Sequence, residues 1–468
     1  MSERPRLPEK IAYGFGDLAS VLYWQTFMLY LPYFYTDVFR IPAGVAATMF
    51  LVSRIFDGIN DPVMGMIADR TTTRWGRFRP WLLWLCVPFA LMGVLTFTTP
   101  NFGPTGKIWW AYLTFFGMML LYTGINIPYT ALLGVISPNS SDRTSVSSIK
   151  FMFAFAAGII VSATLLPMVK RLGGGNEARG WQFSFIIYGM AAIVFFLIAF
   201  AGPRERVQPS REQKPSVWED LKTLFANRPW WILLATTLTF ILFIAIRSSV
   251  TVHYFKYYVG KQVLSLPFFS GTYDFETLTS AFNTVGQAFS LLGVFLVDRF
   301  ARLIGKKSAF LSLFVVTVVS YAAFYLLRPD QVALMFLLQA IASMSGGPMS
   351  VLLWAMYADT ADYAEWKLGR RATGLVFSAS TMSQKIGWAF GTFVALQLMA
   401  SVGFTANEDQ APESLRGMVL LFSLIPAGFG VVSILIATTY PLGEPMMDTI
   451  TNEIKRRRET ENSAPTAD

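Results

Sequence analysis

The chain has 468 residues, of which 54% are hydrophobic, 15% aromatic and 14% charged. A soluble domain carries about 25% charged residues, so this composition excludes a soluble protein and, with it, a nucleic-acid partner for the net charge of +9; that charge is loop charge of the kind that orients a membrane protein. The single cysteine, Cys86, and single histidine, His253, leave no disulfide framework, no Cys/His metal centre and no Ser-His-Asp triad, which argues against an enzyme.

The first long apolar stretch, near residues 11–37, follows Arg4, Arg6 and Lys10 without a short core and small-residue cleavage site, so it reads as a retained span. It carries Tyr13-Gly14-Phe15-Gly16-Asp17, then Trp24 and Gln25. The second, near 43–68, is interrupted by Arg54, Asp57 and Asp61, with Asn60 between the carboxylates. At 3.6 residues per turn these three charges fall within roughly 60° of one another, on one helix stripe. Each costs about 2.5–3.5 kcal/mol in a bilayer unless it faces protein, water or a partner. Paired intramembrane carboxylates bind and move cations; the structural alternative is an ion pair of Arg54 with one of them. Asp69-Arg70, Arg74, Arg77 and Arg79 follow as a basic loop.

Further spans are expected near 80–99, 108–133, 145–169 and 183–201, the second of these with Tyr122, Thr123, Asn126 and Pro128 and the third with Lys150. A polar connection, 202–229, holds Arg204, Arg206, Arg211, Lys214, Lys222 and Arg228. The next span, 230–255, contains Arg247-Ser248-Ser249 and ends at His253, which reads as a surface or satisfied residue. Spans near 277–297, 308–327, 331–357, 375–400 and 415–440 complete the set, with Thr381, Gln384 and Lys385 deep inside the penultimate one. The tail, 441–468, is polar, carries Lys455-Arg456-Arg457-Arg458, and is expected to be disordered or to lie on the surface.

At about 20 residues per crossing this makes about twelve spans. Most of the 38 basic residues fall in alternate loops and both tails, which places both termini in the cytoplasm. Asp298-Arg299 repeats Asp69-Arg70, each followed by further basic residues. The chain therefore divides into a six-helix bundle (1–201), a cytoplasmic middle loop (202–229), a second six-helix bundle (230–440) and a tail (441–468). That is the major facilitator architecture, an all-α membrane protein whose substrate sits between the halves near the midplane.

Asp57-Gly-Ile-Asn60-Asp61-Pro62-Val-Met-Gly65, with Asp69-Arg70 and Trp75-Gly76-Arg77-Phe78-Arg79-Pro80, resembles the glycoside–pentoside–hexuronide:cation symporters, the family of the melibiose carrier. Tyr13 to Asp17, Asn126-Ile127-Pro128-Tyr129 and Asp359-Thr-Ala-Asp362-Tyr363-Ala-Glu365-Trp-Lys367 extend the resemblance over essentially the whole chain. It implies a secondary active symporter of the bacterial inner membrane, a functional monomer among lipids, with no cofactor and with sodium or a proton as coupling ion. It implies a cation site at Asp57, Asn60, Asp61 and Thr123, with sodium on Asp57 and Asp61; two carboxylates, an amide and a hydroxyl form an oxygen set suited to a hard cation. The sugar or glycoside site falls on Tyr13, Asp17, Trp24, Gln25, Tyr122, Asn126, Thr381, Gln384, Lys385 and Arg247. Lys385 matches the family's lysine between sugar and cation sites, and together with Arg54, Asp69, Arg70 and Arg74 it makes a coupling and gating set. The chain departs from the melibiose carrier at Asn126, Thr130 and Val21, where the family has a carboxylate, an aromatic platform and a second carboxylate, so melibiose itself is not the expected cargo. Arg247 would suit an acidic sugar. The alternative on the same fold is a sodium-coupled carrier of an amphipathic or lipid-like solute.

Overall fold

A computed structural model describes residues 4–137, 140–206, 217–266, 269–369 and 373–463; the side chains of Arg54 and Asp69 lie outside the described set. The helices are α1 (Leu7–Leu29), α2 (Ala43–Arg70), α3 (Arg79–Thr96), α4 (Pro104–Val135), α5 (Ser140–Gly173), α6 (Glu177–Ala201), α7 (Val217–Ala226), α8 (Arg228–His253), α9 (Phe275–Ile304), α10 (Lys306–Ala323), α11 (Val332–Leu368), α12 (Thr373–Ser401), α13 (Pro412–Phe422), α14 (Leu424–Thr438) and α15 (Glu444–Ser463). Every apolar stretch read from the sequence is helical, and among the described residues nine helices are long and apolar enough to cross a membrane.

Four elements depart from the sequence reading. The middle connection contains α7. A hairpin of β1 (Gln262–Leu266) and β2 (Phe269–Tyr273), pairing Gln262 with Tyr273, joins α8 to α9. The last apolar stretch breaks at Ser423 into α13 and α14; Pro426, which has no N–H to give, sits in the first turn of α14, where none is needed. The tail is not disordered along its first part. Met447, Ile450 and Ile454 recur at helical spacing and are buried as α15 packs on α11, and Trp366 Nε1 donates to Glu453 Oε2 at 2.6 Å.

The chain gathers into two compact units. Unit 1 comprises Met1–Arg211 with Ser248–Gln287 and Thr392–Met418, and unit 2 comprises Glu212–Arg247, Ala288–Gly391 and Val419–Asp468. In unit 1, α1 packs on α5 and α6, and α3 lies between α4 and α6; in unit 2, α10 packs between α11 and α14.

The repeat glimpsed in the two Asp-Arg loops is a structural device in each unit. Glu205, just after α6, accepts the backbone N–H groups of Arg77 (2.8 Å), Phe78 (2.8 Å) and Arg79 (3.0 Å), the orphan donors at the start of α3. Arg79 in turn donates from Nε and Nη2 to the Phe200 carbonyl (2.9 and 2.7 Å) in the last turn of α6. In unit 2, Glu444, just after α14, accepts the Lys306 N–H at 3.0 Å at the start of α10. Lys307 Nζ donates back to the carbonyls of Thr438 (2.9 Å) and Tyr440 (2.5 Å) at the end of α14. Gly76 (φ 112°) and Gly305 (φ 83°) make the turns that let each carboxylate approach.

Candidate functional site

The cation candidates lie on two adjacent helices of unit 1. Thr123, 3% exposed on α4, donates its hydroxyl to Asp61 Oδ1 at 2.9 Å, so the charged stripe of α2 faces α4 at this level. Asp57 is buried one turn before it, at 4% exposure. Asn60 is half-buried between them, and its Nδ2 has no hydrogen-bond partner among the described residues. Two carboxylates, an amide and a hydroxyl thus occupy one level of the bundle, and their oxygens are the hard donors that sodium prefers. Arg54, expected on the same stripe, lies outside the described side chains.

The substrate candidates of unit 1 separate into two groups. Trp24 and Gln25 of α1 and Tyr122 and Asn126 of α4 are half-buried, and Asp17 of α1 is buried at 9% exposure. Trp24 and Tyr122 stack with centroids 5.5 Å apart at 27°, which fixes the two helices face to face and offers aromatic surface of the kind sugar rings stack on. Lys150 of α5 reaches to 3.6 Å from Asp17 Oδ1, and its ammonium lies 5.5 Å from the Tyr129 ring centroid. Tyr13 does not belong with them. It is fully buried, its hydroxyl donates to the Tyr129 carbonyl (3.0 Å), Tyr129 returns the bond to the Tyr13 carbonyl (2.8 Å), and the two rings stack at 4.5 Å. Gly16 permits this: a Cβ there would sit 2.4 Å from the Tyr129 ring. Tyr13 is a packing residue that locks α1 to α4 beneath Asp17.

In unit 2, Thr381 is exposed and Gln384 and Lys385 are half-buried on α12, at spacings that put them on one face. Arg247 is placed differently from the sequence expectation. It is 3% exposed, its Nη1 donates to the Phe422 carbonyl at 2.6 Å and its Nη2 to Gln339 Oε1 at 3.4 Å. The rings of Tyr321, Phe324 and Phe422 close round it at 3.8–4.2 Å. A guanidinium enclosed this way is held by cation–π and hydrogen-bond contacts within the unit and is not free to meet a substrate carboxylate.

Of the gating candidates, Arg70 and Arg74 are exposed, Arg74 lies 4.4 Å over the Trp75 ring, and Asp69 lies outside the described side chains. Of the two readings of His253, its burial (0% exposed) excludes the surface one, while its Nε2 at 2.8 Å from Thr36 Oγ1 agrees with the satisfied one. Three features were not expected from the sequence: the carboxylate of Glu205, the Lys306–Asp359 pair (2.7 and 2.6 Å) and a buried cluster in which Asp37 accepts from Lys256 Nζ (2.8 Å) beside His253. The first had a visible signal, a carboxylate recurring at matching places in the two halves, Glu205 and Glu444.

Residues 12–444 match the family model described as MFS/sugar transport protein. The chain is 34% identical to the inner membrane symporter YicJ of Escherichia coli (strain K12), covering 94% of this chain and 92% of that protein. It is also 34% identical to the isoprimeverose transporter of Lactiplantibacillus pentosus, over 91% of this chain and 87% of the relative. Among solved structures, a bacterial homologue of the human drug peptide transporters PepT1 and PepT2 superposes with a TM-score of 0.68 at 13% identity, over 95% of this chain and 100% of that one, a likeness of fold alone. The chain belongs to the MFS/sugar transport family, in its glycoside–pentoside–hexuronide:cation symporter branch, and is a predominantly helical, multi-pass inner-membrane transporter and not an enzyme.

Proposed function

We propose that this protein is a secondary active symporter that carries a neutral glycoside or oligosaccharide inward with sodium, by alternating access of two six-helix bundles across twelve spans. Both termini and the loops holding Glu205 and Glu444 face the cytoplasm, as the placement of lysines and arginines supports. The observation that carries the reading is the contact of the half-buried Asp61 with Thr123, beside the buried Asp57 and the half-buried Asn60. Paired carboxylates inside a span are costly, and neutral oxygens beside them favour a metal cation over a proton alone. Lys385, whose counterpart in the resembling family couples sugar and cation, is assigned the coupling role, and the protein works as a monomer.

The neutral cargo follows from where the positive charges are spent. Arg247 is enclosed by aromatic rings, and Lys150 is paired with Asp17. A carboxylate and an ammonium side by side accept and donate to sugar hydroxyls, whereas a hexuronide carboxylate would meet Asp17 as a like charge. The test is uptake of labelled isoprimeverose-type and other neutral glycosides into vesicles with sodium or choline outside, with glucuronides and galacturonides as competitors. Sodium-stimulated uptake displaced by neutral glycosides alone supports the reading; displacement by hexuronides, with Arg247→Gln losing only that competition, overturns the neutral cargo.

A further inference from the structure

In unit 1 two helices finish in the same unusual way. After a single turn at Leu31–Tyr33, α1 continues into a π-helical turn, Phe34–Val38, closed by the Phe39 N–H on the Phe34 carbonyl (2.8 Å). Similarly, α8 continues into a π-helical turn, Tyr254–Val259, closed by the Gly260 N–H on the Phe255 carbonyl (2.8 Å). Such turns are rare and concentrate at functional sites. These two meet on one carboxylate. The loop between α3 and α4 lies at the same end, since Lys107 at the start of α4 donates its Nζ to the Phe39 carbonyl (3.4 Å).

Both oxygens of Asp37, a residue 3% exposed, are occupied twice. Oδ1 accepts from Lys256 Nζ (2.8 Å) and from the Tyr257 hydroxyl; Oδ2 accepts from the Thr36 hydroxyl (2.7 Å) and lies 3.2 Å from His253 Nε2. Lys256 directs its three N–H groups to Asp37, to Asn407 Oδ1 (2.7 Å) and to the Tyr33 hydroxyl (3.3 Å), which itself donates to Glu177 of α6 (2.8 Å). Asn407, in the connection between α12 and α13, donates its Nδ2 to the Asp37 carbonyl (2.7 Å) and its N–H to the Tyr257 hydroxyl (2.7 Å). It stands at φ 61°, a left-handed conformation that asparagine tolerates better than most side chains.

These bonds join the two halves of the chain. Tyr33, Asp37 and Glu177 belong to residues 1–201, whereas Lys256, Tyr257 and Asn407 belong to 230–440. The segments that carry the second set, Ser248–Gln287 and Thr392–Met418, gather with the first half in unit 1, although α8 and α12 run for most of their length in unit 2. Alternating access requires such segments to leave the first half and return. The chemistry of the contact suits that. The Lys256 side chain keeps 16% exposure and Asn407 is exposed, so water can replace each bond as it parts. A buried charge pair holds firmly only while every member is in place. A second pair across the halves is different in kind: Lys170, in the last turn of α5, contacts Asp274 and lies 4.0 Å from Glu276 Oε2, but its side chain is 47% exposed, and pairs in water contribute little.

We propose that Asp37, Lys256 and Asn407 form a gate lock, separate from the carboxylate pair of α2. Its bonds are whole while this end is closed and break when it opens, so the contacts of one carboxylate set how often the substrate site is presented on this face. The lock rests on the alternating access proposed above and not on the identity of cargo or ion.

The test uses a reporter cysteine in full-length protein carrying Cys86→Ala, in vesicles free of sodium and sugar, so that opening is read apart from transport. Asn283 of α9 is 8% exposed and donates to the Tyr30 hydroxyl at 3.2 Å, so Asn283→Cys is covered while α1 and α9 are together. Its labelling by a membrane-impermeant maleimide is measured in whichever vesicles, right-side-out or inverted, label Asn101→Cys in the exposed loop between α3 and α4. The expected result is a rate that rises about tenfold to a hundredfold in Asp37→Asn and in Lys256→Met, each losing a hydrogen bond between charged groups. The double variant should rise no further, since the two share one interaction. Lys170→Met should stay within about twofold of the parent. Asn407→Gly keeps the left-handed backbone and drops both amide bonds; it should give a rise of about fivefold. Ser184→Cys of α6, 0% exposed where α6 packs on α1, α3 and α5, reports general loosening and should stay unlabelled in every variant. Rates in Asp37→Asn and Lys256→Met within about twofold of the parent's, or a rise as large in Lys170→Met, overturn the lock. Labelling of Ser184→Cys that climbs in step with Asn283→Cys also overturns it, because the cluster would then hold the fold and not a gate. Where Asp37→Asn does not fold, Asn407→Gly decides, and an unchanged rate there is the contrary result.

Discussion

Replacing Glu205 tests whether one carboxylate after α6 organises the whole loop between α2 and α3. It accepts three N–H groups at 2.8–3.0 Å while half-buried. A net contribution of about 1 kcal/mol for each bond, with about 0.5 kcal/mol from a negative charge at a helix N-terminus, gives about 3.5 kcal/mol lost in Glu205→Ala. Local opening of the loop and the first turn of α3 should therefore rise by about 300-fold. The assay is limited trypsin digestion of purified protein in detergent, with the rate of cleavage after Arg77 followed by mass spectrometry, because cleavage under these conditions tracks the population of the opened segment. Glu205→Gln keeps an acceptor oxygen and loses the charge, so it should fall between the two. Glu444→Ala is the internal control: it loses one 3.0 Å bond at an exposed position, which is worth about 0.5–1 kcal/mol, and should loosen the Lys306–Lys307 site by less than tenfold while leaving Arg77 unchanged. A Glu205→Ala cleavage rate within twofold of the parent would refute the reasoning.

Asp57→Asn and Asp61→Asn should each abolish uphill accumulation while downhill glycoside entry stays measurable; accumulation at the parent level in either variant would place the cation elsewhere. Asn60→Ala should lower sodium stimulation more than proton-driven uptake, read by comparing imposed sodium and proton gradients. Asp17→Asn should weaken neutral glycoside binding by about fivefold to a hundredfold, about 1–3 kcal/mol for losing a charged acceptor toward sugar hydroxyls; calorimetry on Asp17→Asn, Lys150→Gln and the double variant should show the double variant losing less than the sum of the two. Arg247→Gln should cost about 2–4 kcal/mol of stability through the lost contacts to three rings and the Phe422 carbonyl, visible as a lower melting temperature, with the order of competing sugars unchanged.

Much of the architecture was legible because a bilayer admits few solutions. Long apolar runs must be helices, since no water is present to satisfy the backbone, and charges on the stripe of Asp57 and Asp61 are too expensive to be incidental. The partnership of Asp61 with Thr123 came from matching residues to a family pattern and not from spacing, since the two lie on different helices. The rest failed for physical reasons that one-dimensional patterns cannot carry. Tyr13 looks like a sugar-stacking residue in sequence, and only the ring of Tyr129 opposite Gly16 shows that it is sealed. Arg247 reads as a pore cation until Tyr321, Phe324 and Phe422, distant in the chain, are seen to surround it. The π turns that bring His253 onto Asp37 leave no mark in hydrophobic periodicity. In the tail, the high charge of Lys455 to Arg458 masked the apolar stripe of Met447, Ile450 and Ile454 that docks α15.

The most direct test of the transport mechanism is the linkage between its two ligands. Calorimetric titration of purified protein with a neutral glycoside, in sodium chloride and again in choline chloride, measures how strongly sodium tightens sugar binding. A coupling of about 1–3 kcal/mol, or about fivefold to 150-fold in affinity, is expected in the parent, and sodium titrated with and without glycoside must return the same factor. In Asp61→Asn the glycoside should still bind, with equal affinity in both salts. A sodium effect that survives Asp61→Asn, or a parent whose glycoside affinity is the same in both salts, would contradict the account.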